Sequence, residues 1–170
     1  MIIFLKIICV TGGFGVCAFG GYRYSQKYVL RERYFAETVQ LCVGINADIS
    51  FVRLSLIGIL QKYGGSFKSF LSVQLGATAA LLNDNKPIEE ETLYEYIPKG
   101  FLSGEEYETL IRFFNILGKS DAENQAASIE SFKAVFQKYH NDAIGQKKKY
   151  ASLYWKLGLL AGAVIAVFVI

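Results

Sequence analysis

Two stretches of this 170-residue chain, its single histidine and its three cysteines carry side chains able to do chemistry, and in each case the spacing argues against it. Gly64-Gly65-Ser66-Phe67-Lys68-Ser69 has the residue types of a phosphate-cradling loop. It lacks the closing Gly-Lys-Ser/Thr and follows a helical pattern rather than a strand, so it reads as a helix stop. Glu89-Glu90-Glu91 could supply acid–base or metal-binding carboxylates, but no partner stands at the spacing either task needs. The single histidine, His140, has no companions at zinc-ligand spacing. Cys9 and Cys17 lie about 12 Å apart along a helix, too far to bridge, and Cys42 falls on an apolar seam, so all three read as small packing residues. The sequence therefore predicts no catalytic residue, no metal and no cofactor.

What remains is recognition. Between Asp84 and Glu108 stand eight acids against Lys86 and Lys99, whereas the basic residues crowd the two ends of the chain. The net charge of +3 is too small to argue for nucleic acid. The acidic stretch is either a solvated face or a docking surface for a basic partner, with Glu89, Glu90, Glu91, Glu95, Glu105 and Glu106 as its candidate residues.

Both ends must be positioned by a membrane. Leu157 to Ile170 carries no charged side chain and follows Lys147, Lys148, Lys149 and Lys156. A helix of that length is about 21 Å long, so crossing a ~30 Å hydrocarbon layer recruits Leu153, Tyr154 and Trp155 as well, the last two being interface types. Met1 to Gly21 has the single charge Lys6 and is followed by Arg23, Lys27, Arg31 and Arg33. It is expected to be an anchor: its flanks are poor for a cleaved secretory signal, and Phe14-Gly15-Val16 before Cys17 is a poor lipoprotein site. The basic flanks suit anionic lipid and place the middle of the chain in the cytoplasm with both termini outside. The expected division is residues 1–22 as a transmembrane helix, 23–150 as a cytoplasmic helical body, and 151–170 as a second transmembrane helix. Gly13, Cys17 and Gly21 recur every four residues, as do Gly158, Gly162 and Ala166. Small residues so spaced let two helices approach closely in lipid, so these six are the candidate anchor-packing residues.

The body reads as all-α, with only two prolines in the chain. Phe35, Thr38, Cys42, Ile45, Ile49, Val52, Leu56 and Ile59 keep a three-four spacing, stopped by Gly64-Gly65. A helix is expected from about Ser66 to Leu82, then a turn at Asp84-Asn85-Lys86-Pro87, then a segment with Leu93, Tyr94 and Ile97 that ends before Pro98-Lys99-Gly100. Ser103 with Glu106 and Ser120 with Glu123 have capping-box spacing. The last pattern, Ile129, Phe132, Phe136, Tyr139, Ala143, Tyr150, Leu153, Leu157 and Leu160, predicts a continuous helix from about Asp121 into the bilayer.

LGKSDAENQ from Leu117, the ending KKYASLYWKLGLLAGAVIAVFVI from Lys148 and, more weakly, ADISFVR from Ala47 resemble segments of the stage III sporulation protein AB family. Asp48 stands where that family usually has glutamate, and the proline common just after is absent. The family is similar to the cytoplasmic domain of the type II secretion platform protein. The resemblance thus implies a membrane-anchored compact bundle of about six helices between N-terminal and C-terminal transmembrane helices. It also implies a non-enzymatic platform in the complex linking mother cell and forespore, required for endospore formation. The implied site is the mother-cell membrane facing the forespore, with the body in the mother-cell cytoplasm. The implied partners are the complex's cytoplasmic ATPase and other stage III sporulation membrane proteins, and the layout is compatible with a homo-oligomer. A membrane-anchored adaptor or sensor for a soluble regulator would have the same composition.

Overall fold

A computed structural model describes residues 2–49, 56–84, 95–96, 100–117 and 122–169, with side chains between residues 11 and 167. Every regular element among them is helical, and none is a strand. The elements are α1 (Ile2–Ala47), α2 (Leu56–Gly64), α3 (Phe70–Asn83), α4 (Gly104–Ile116), α5 (Ala122–Gln146), a π-helical segment (Lys147–Ala151) and α6 (Ser152–Val169). They form two compact units, Arg31–Asp142 and the two chain ends, Met1–Leu30 with Ala143–Ile170. Arg23, Lys27 and the lysines at 147–149 therefore belong to the terminal unit.

The unit Arg31–Asp142 is built on the last part of α1, from Arg31 to Ala47. No proline or other breaker separates Gly21 from Phe35, so the expected first anchor and first body helix are one helix. Tyr34, Phe35, Thr38, Leu41, Cys42 and Ile45 are fully buried, and Ile49 is half-buried. The helix closes in a π-turn at Asp48 and Ile49. Asp48 is buried there, accepting from Lys62 Nζ at 2.9 and 2.8 Å, while the lysine side chain is half exposed. Gly44 lies beneath the Tyr63 ring, where a Cβ would overlap the hydroxyl.

The stop after α2 is made at Gly64-Gly65: Gly65 N–H donates to Gln61 O at 3.1 Å and Ser66 N–H to Tyr63 O at 3.0 Å. α3 begins at Phe70 rather than near Ser66, because Ser69 is the cap. Its hydroxyl accepts from Leu71 N–H at 3.2 Å and donates to Glu37 on α1, fixing where the helix can start. Gly100 takes φ +92°, the left-handed region that favours glycine, and completes the predicted break before Ser103.

The core is aromatic. Phe113 of α4 meets Phe136 of α5 nearly edge to face at 5.3 Å, and Phe35 meets Tyr139 at 5.4 Å. Burying such a ring contributes about 2–3 kcal/mol, and each edge-to-face pair about 1 kcal/mol more. Tyr34 also serves a polar contact, its hydroxyl donating to Gln74 Oε1 at 2.7 Å, with burial pushing the phenol above its ordinary range.

Helical conformation runs from Ala122 to Val169 without a gap, as the seam predicts, but the π-helical segment replaces an α-turn at the lysine cluster. A π-turn accommodates an extra residue. It starts at half-buried Lys147, next to exposed Gln146, which breaks the apolar pattern. The helix around Leu93, Tyr94 and Ile97, the turn at Pro87, and Ser120 lie outside the described residues.

Candidate functional site

The terminal unit pairs the start of α1 with α6 in antiparallel register through a single series of contacts. Tyr28 stacks on Tyr150 at 5.5 Å and on Tyr154 at 5.9 Å, and Tyr24 meets Tyr154 at 4.5 Å. Tyr22 lies edge-on to Trp155 at 6.0 Å. Next in the series come Gly21 and Gly158, where the helix backbones touch. A Cβ on Gly158 would lie 2.8 Å from Cys17 O and 2.9 Å from Gly21 Cα; one on Gly21 would lie 2.8 Å from Tyr154 O. Only hydrogen fits between the two helices at that level. Further along, Phe14 fills the place left by buried Gly162, where a Cβ would come within 2.7 Å of Cδ2, and a Cβ on Gly13 would lie 3.4 Å from Ile165 Cγ2.

Gly13, Cys17, Gly21, Gly158 and Gly162 thus share one interface, and half-buried Ala166 follows on α6. The contacts are unequal. The glycine pair sets the close approach, while the Phe14–Gly162 pairing is a knob in a hole that the spacing of small residues does not reveal.

Away from this seam the helices are apolar and exposed. Val16 is 73 % exposed on α1, as is Leu160 at 62 % on α6. Among the described residues the helical stretch Glu123–Val167 is the one long and apolar enough to cross a membrane, and 6 % of its apolar window is buried. A core helix of a soluble protein would bury most of such a window.

The acidic face divides differently. Glu89, Glu90 and Glu91 lie outside the described residues. Glu95 and Glu105 are exposed, as is Glu108. Glu106 is not available to a partner: it is 2 % exposed and its carboxylate is occupied twice. One oxygen accepts from Ser103 N–H at 2.8 Å, completing the capping box in which Ser103 Oγ accepts from Glu106 N–H at 3.3 Å. The other forms an ion pair with Arg31 of α1, whose Nε also reaches the carboxylate at 3.4 Å. Glu106 belongs to the buried seam Glu106, Leu110, Phe113, Leu117, and a four-three-four spacing in the sequence is the signal that marks it. The residue expected on the partner surface instead ties α4 to α1.

Cys42 is buried, and desolvation pushes its thiol up to about 12, far from a reactive nucleophile. Among the described residues no group of three or more His, Cys, Asp or Glu side chains could hold a metal ion.

These features define an all-helical protein with a helix suited to the bilayer and a glycine-mediated pairing of its two chain ends. The family model for stage III sporulation protein AB matches residues 6–170, nearly the whole chain, and the chain belongs to that family. No curated protein and no solved structure matches it.

Proposed function

We propose that this protein is a non-enzymatic membrane platform of the sporulation complex linking mother cell and forespore, held in the mother-cell membrane by both chain ends. In this reading residues 1–22 and 151–170 are the two anchors and both termini face the intermembrane space. Residues 23–150 are a cytoplasmic bundle of about six helices, similar to the type II secretion platform domain, that docks the complex's ATPase. The observation that carries the reading is the pairing of Gly21 with Gly158, backbone against backbone, between helices whose remaining faces are apolar and exposed. Helices pack this way in lipid, where small residues replace the hydrophobic effect as the means of association. Family membership supplies the sporulation context.

The docking surface is proposed to be the acidic stretch, with Glu89, Glu90, Glu91, Glu95 and Glu105, and a basic partner face opposite. The test is capture of the ATPase by the full chain in detergent. The parent should capture it in a salt-sensitive way, because charges beyond a Debye length of ~8 Å are screened at physiological ionic strength. Reversing Glu89, Glu90 and Glu91 to lysine should slow that capture while leaving membrane insertion intact. Unchanged, salt-insensitive capture by the triple variant would remove the acidic surface. Capture of a signalling protein with no ATPase would favour an adaptor.

A further inference from the structure

The charges of the two units are arranged differently. In Arg31–Asp142, Arg31 pairs with Glu106, Lys62 with Asp48 and Lys133 with Glu130. In the terminal unit, residues 22–30 and 143–156 contain Arg23, Lys27, Lys147, Lys148, Lys149 and Lys156 and no carboxylate at all. Two of these cations lie over tyrosine rings. Lys27 Nζ sits 3.6 Å from the Tyr24 ring centre and 5.0 Å from that of Tyr28, and Lys149 Nζ sits 5.2 Å from Tyr150. The rings themselves are stacked across the helix pair, Tyr28 on Tyr150 and Tyr154. The ring faces therefore orient ammonium groups from both helices around one aromatic shelf. With more residues per turn, the π-helix also keeps Lys147, Lys148 and Lys149 on a narrower arc than an α-turn would.

We infer that Lys27 and Lys149, set on the shelf of Tyr24, Tyr28, Tyr150 and Tyr154, form a binding site for the phosphate headgroup of an anionic phospholipid. Each ammonium has three donors, and a ring face occupies none of them fully, so a phosphodiester can accept from more than one lysine. A lipid fits better than a soluble phosphate because the apolar track continues without a break. Leu153, Leu157, Leu160 and Val164, from 45 to 62 % exposed, run from the shelf along α6 where acyl chains would lie. The inference rests on the membrane reading above and adds to it a built site, as opposed to a diffuse attraction between basic residues and a charged leaflet.

Trp155 is the chain's single tryptophan and lies beside the shelf, against Tyr22, so it reports on the lipids bound there. The full chain is reconstituted in phosphatidylcholine vesicles containing a minor fraction of acyl-brominated lipid, either phosphatidylglycerol or phosphatidylcholine. At equal mole fraction the anionic bromolipid should quench Trp155 preferentially, by about fivefold for each engaged lysine. The preference should fall toward parity in Lys27→Ala/Lys149→Ala and also in Tyr28→Leu, which removes no charge. It should persist in Lys138→Ala, whose lysine is exposed on α5 in the other unit. Equal quenching of the parent by the two bromolipids, or a full preference in the double lysine variant, would overturn the site. A preference lost in the lysine variant but kept in Tyr28→Leu would overturn it too, leaving surface charge as the cause. Quenching by neither lipid would overturn the membrane reading itself.

Discussion

Replacing Gly158 by alanine adds one methyl group at the level where α1 and α6 touch. That methyl would lie 2.8 Å from Cys17 O, 2.9 Å from Gly21 Cα and 3.3 Å from Gly21 N. Carbon atoms in contact prefer separations of about 3.5–4.0 Å, so the helices must part by roughly 0.7–1 Å. None of the three atoms is the end of a flexible side chain, so the backbones themselves must move. A gap of that size forfeits about a quarter to a half of each dispersion contact along the seam. Overpacking of this kind costs about 1–3 kcal/mol, and we expect about 2 kcal/mol for Gly158→Ala. Unfolding of the full chain in mixed micelles of increasing denaturing detergent, followed by Trp155 fluorescence, should show a roughly thirtyfold shift in the unfolding equilibrium. Ala161→Leu adds more bulk on an exposed face of α6 and should leave the transition in place. The reasoning is refuted if Gly158→Ala unfolds with the parent, or if Ala161→Leu is destabilised as much.

Two further outcomes concern Arg31–Asp142. Glu106→Ala removes the buried partner of Arg31 and half of the Ser103 capping box; it should destabilise this unit by about 2–4 kcal/mol in denaturant titration. Glu106→Gln, which can still accept from Ser103 N–H, should cost less. Equal, negligible effects would contradict the role given to the ion pair. Cys42, its thiol raised to about 12 from an ordinary 9.0 by burial, should resist maleimide labelling in the native protein at neutral pH and react on unfolding. Because the unfolded thiol ionises first, the folded state holds the proton to higher pH, and this contribution is complete below about pH 9 and lost as pH rises toward 12. Buried Tyr34 acts in the same direction at the alkaline end. Stability that holds constant through that range would contradict the burial of both groups.

Local signals in the sequence proved the most legible. Ser103 and Glu106, three residues apart, announce a capping box, and Gly64-Gly65 announces a stop; both depend only on neighbouring backbone groups. The second role of Glu106 was hidden by distance, since Arg31 is 75 residues away and an acidic run reads as a solvated face. Its position on the seam with Leu110 and Phe113 was the signal that outweighed its charge. α3 starts four residues beyond the expected Ser66, because Ser66 and Ser69 are equally good caps until Glu37 of α1 selects one. In the terminal unit, the four-residue spacing of small residues gives no sign that Phe14 occupies the place left by Gly162. Tyr24 and Tyr28, and Tyr150 and Tyr154, carry the same four-residue spacing one step further along each helix. A search limited to small residues passes over them, although ring stacking uses the same register.

The proposed hairpin has two ends that enter one membrane from the same side, with the helical body in the cytoplasm. Alkaline phosphatase, active only outside the cytoplasm, tests it when joined to the full chain after Ile170 and, separately, at residue 100. The fusion after Ile170 should be active and the one at residue 100 inactive. An inactive fusion after Ile170 together with an active one at residue 100 would contradict it.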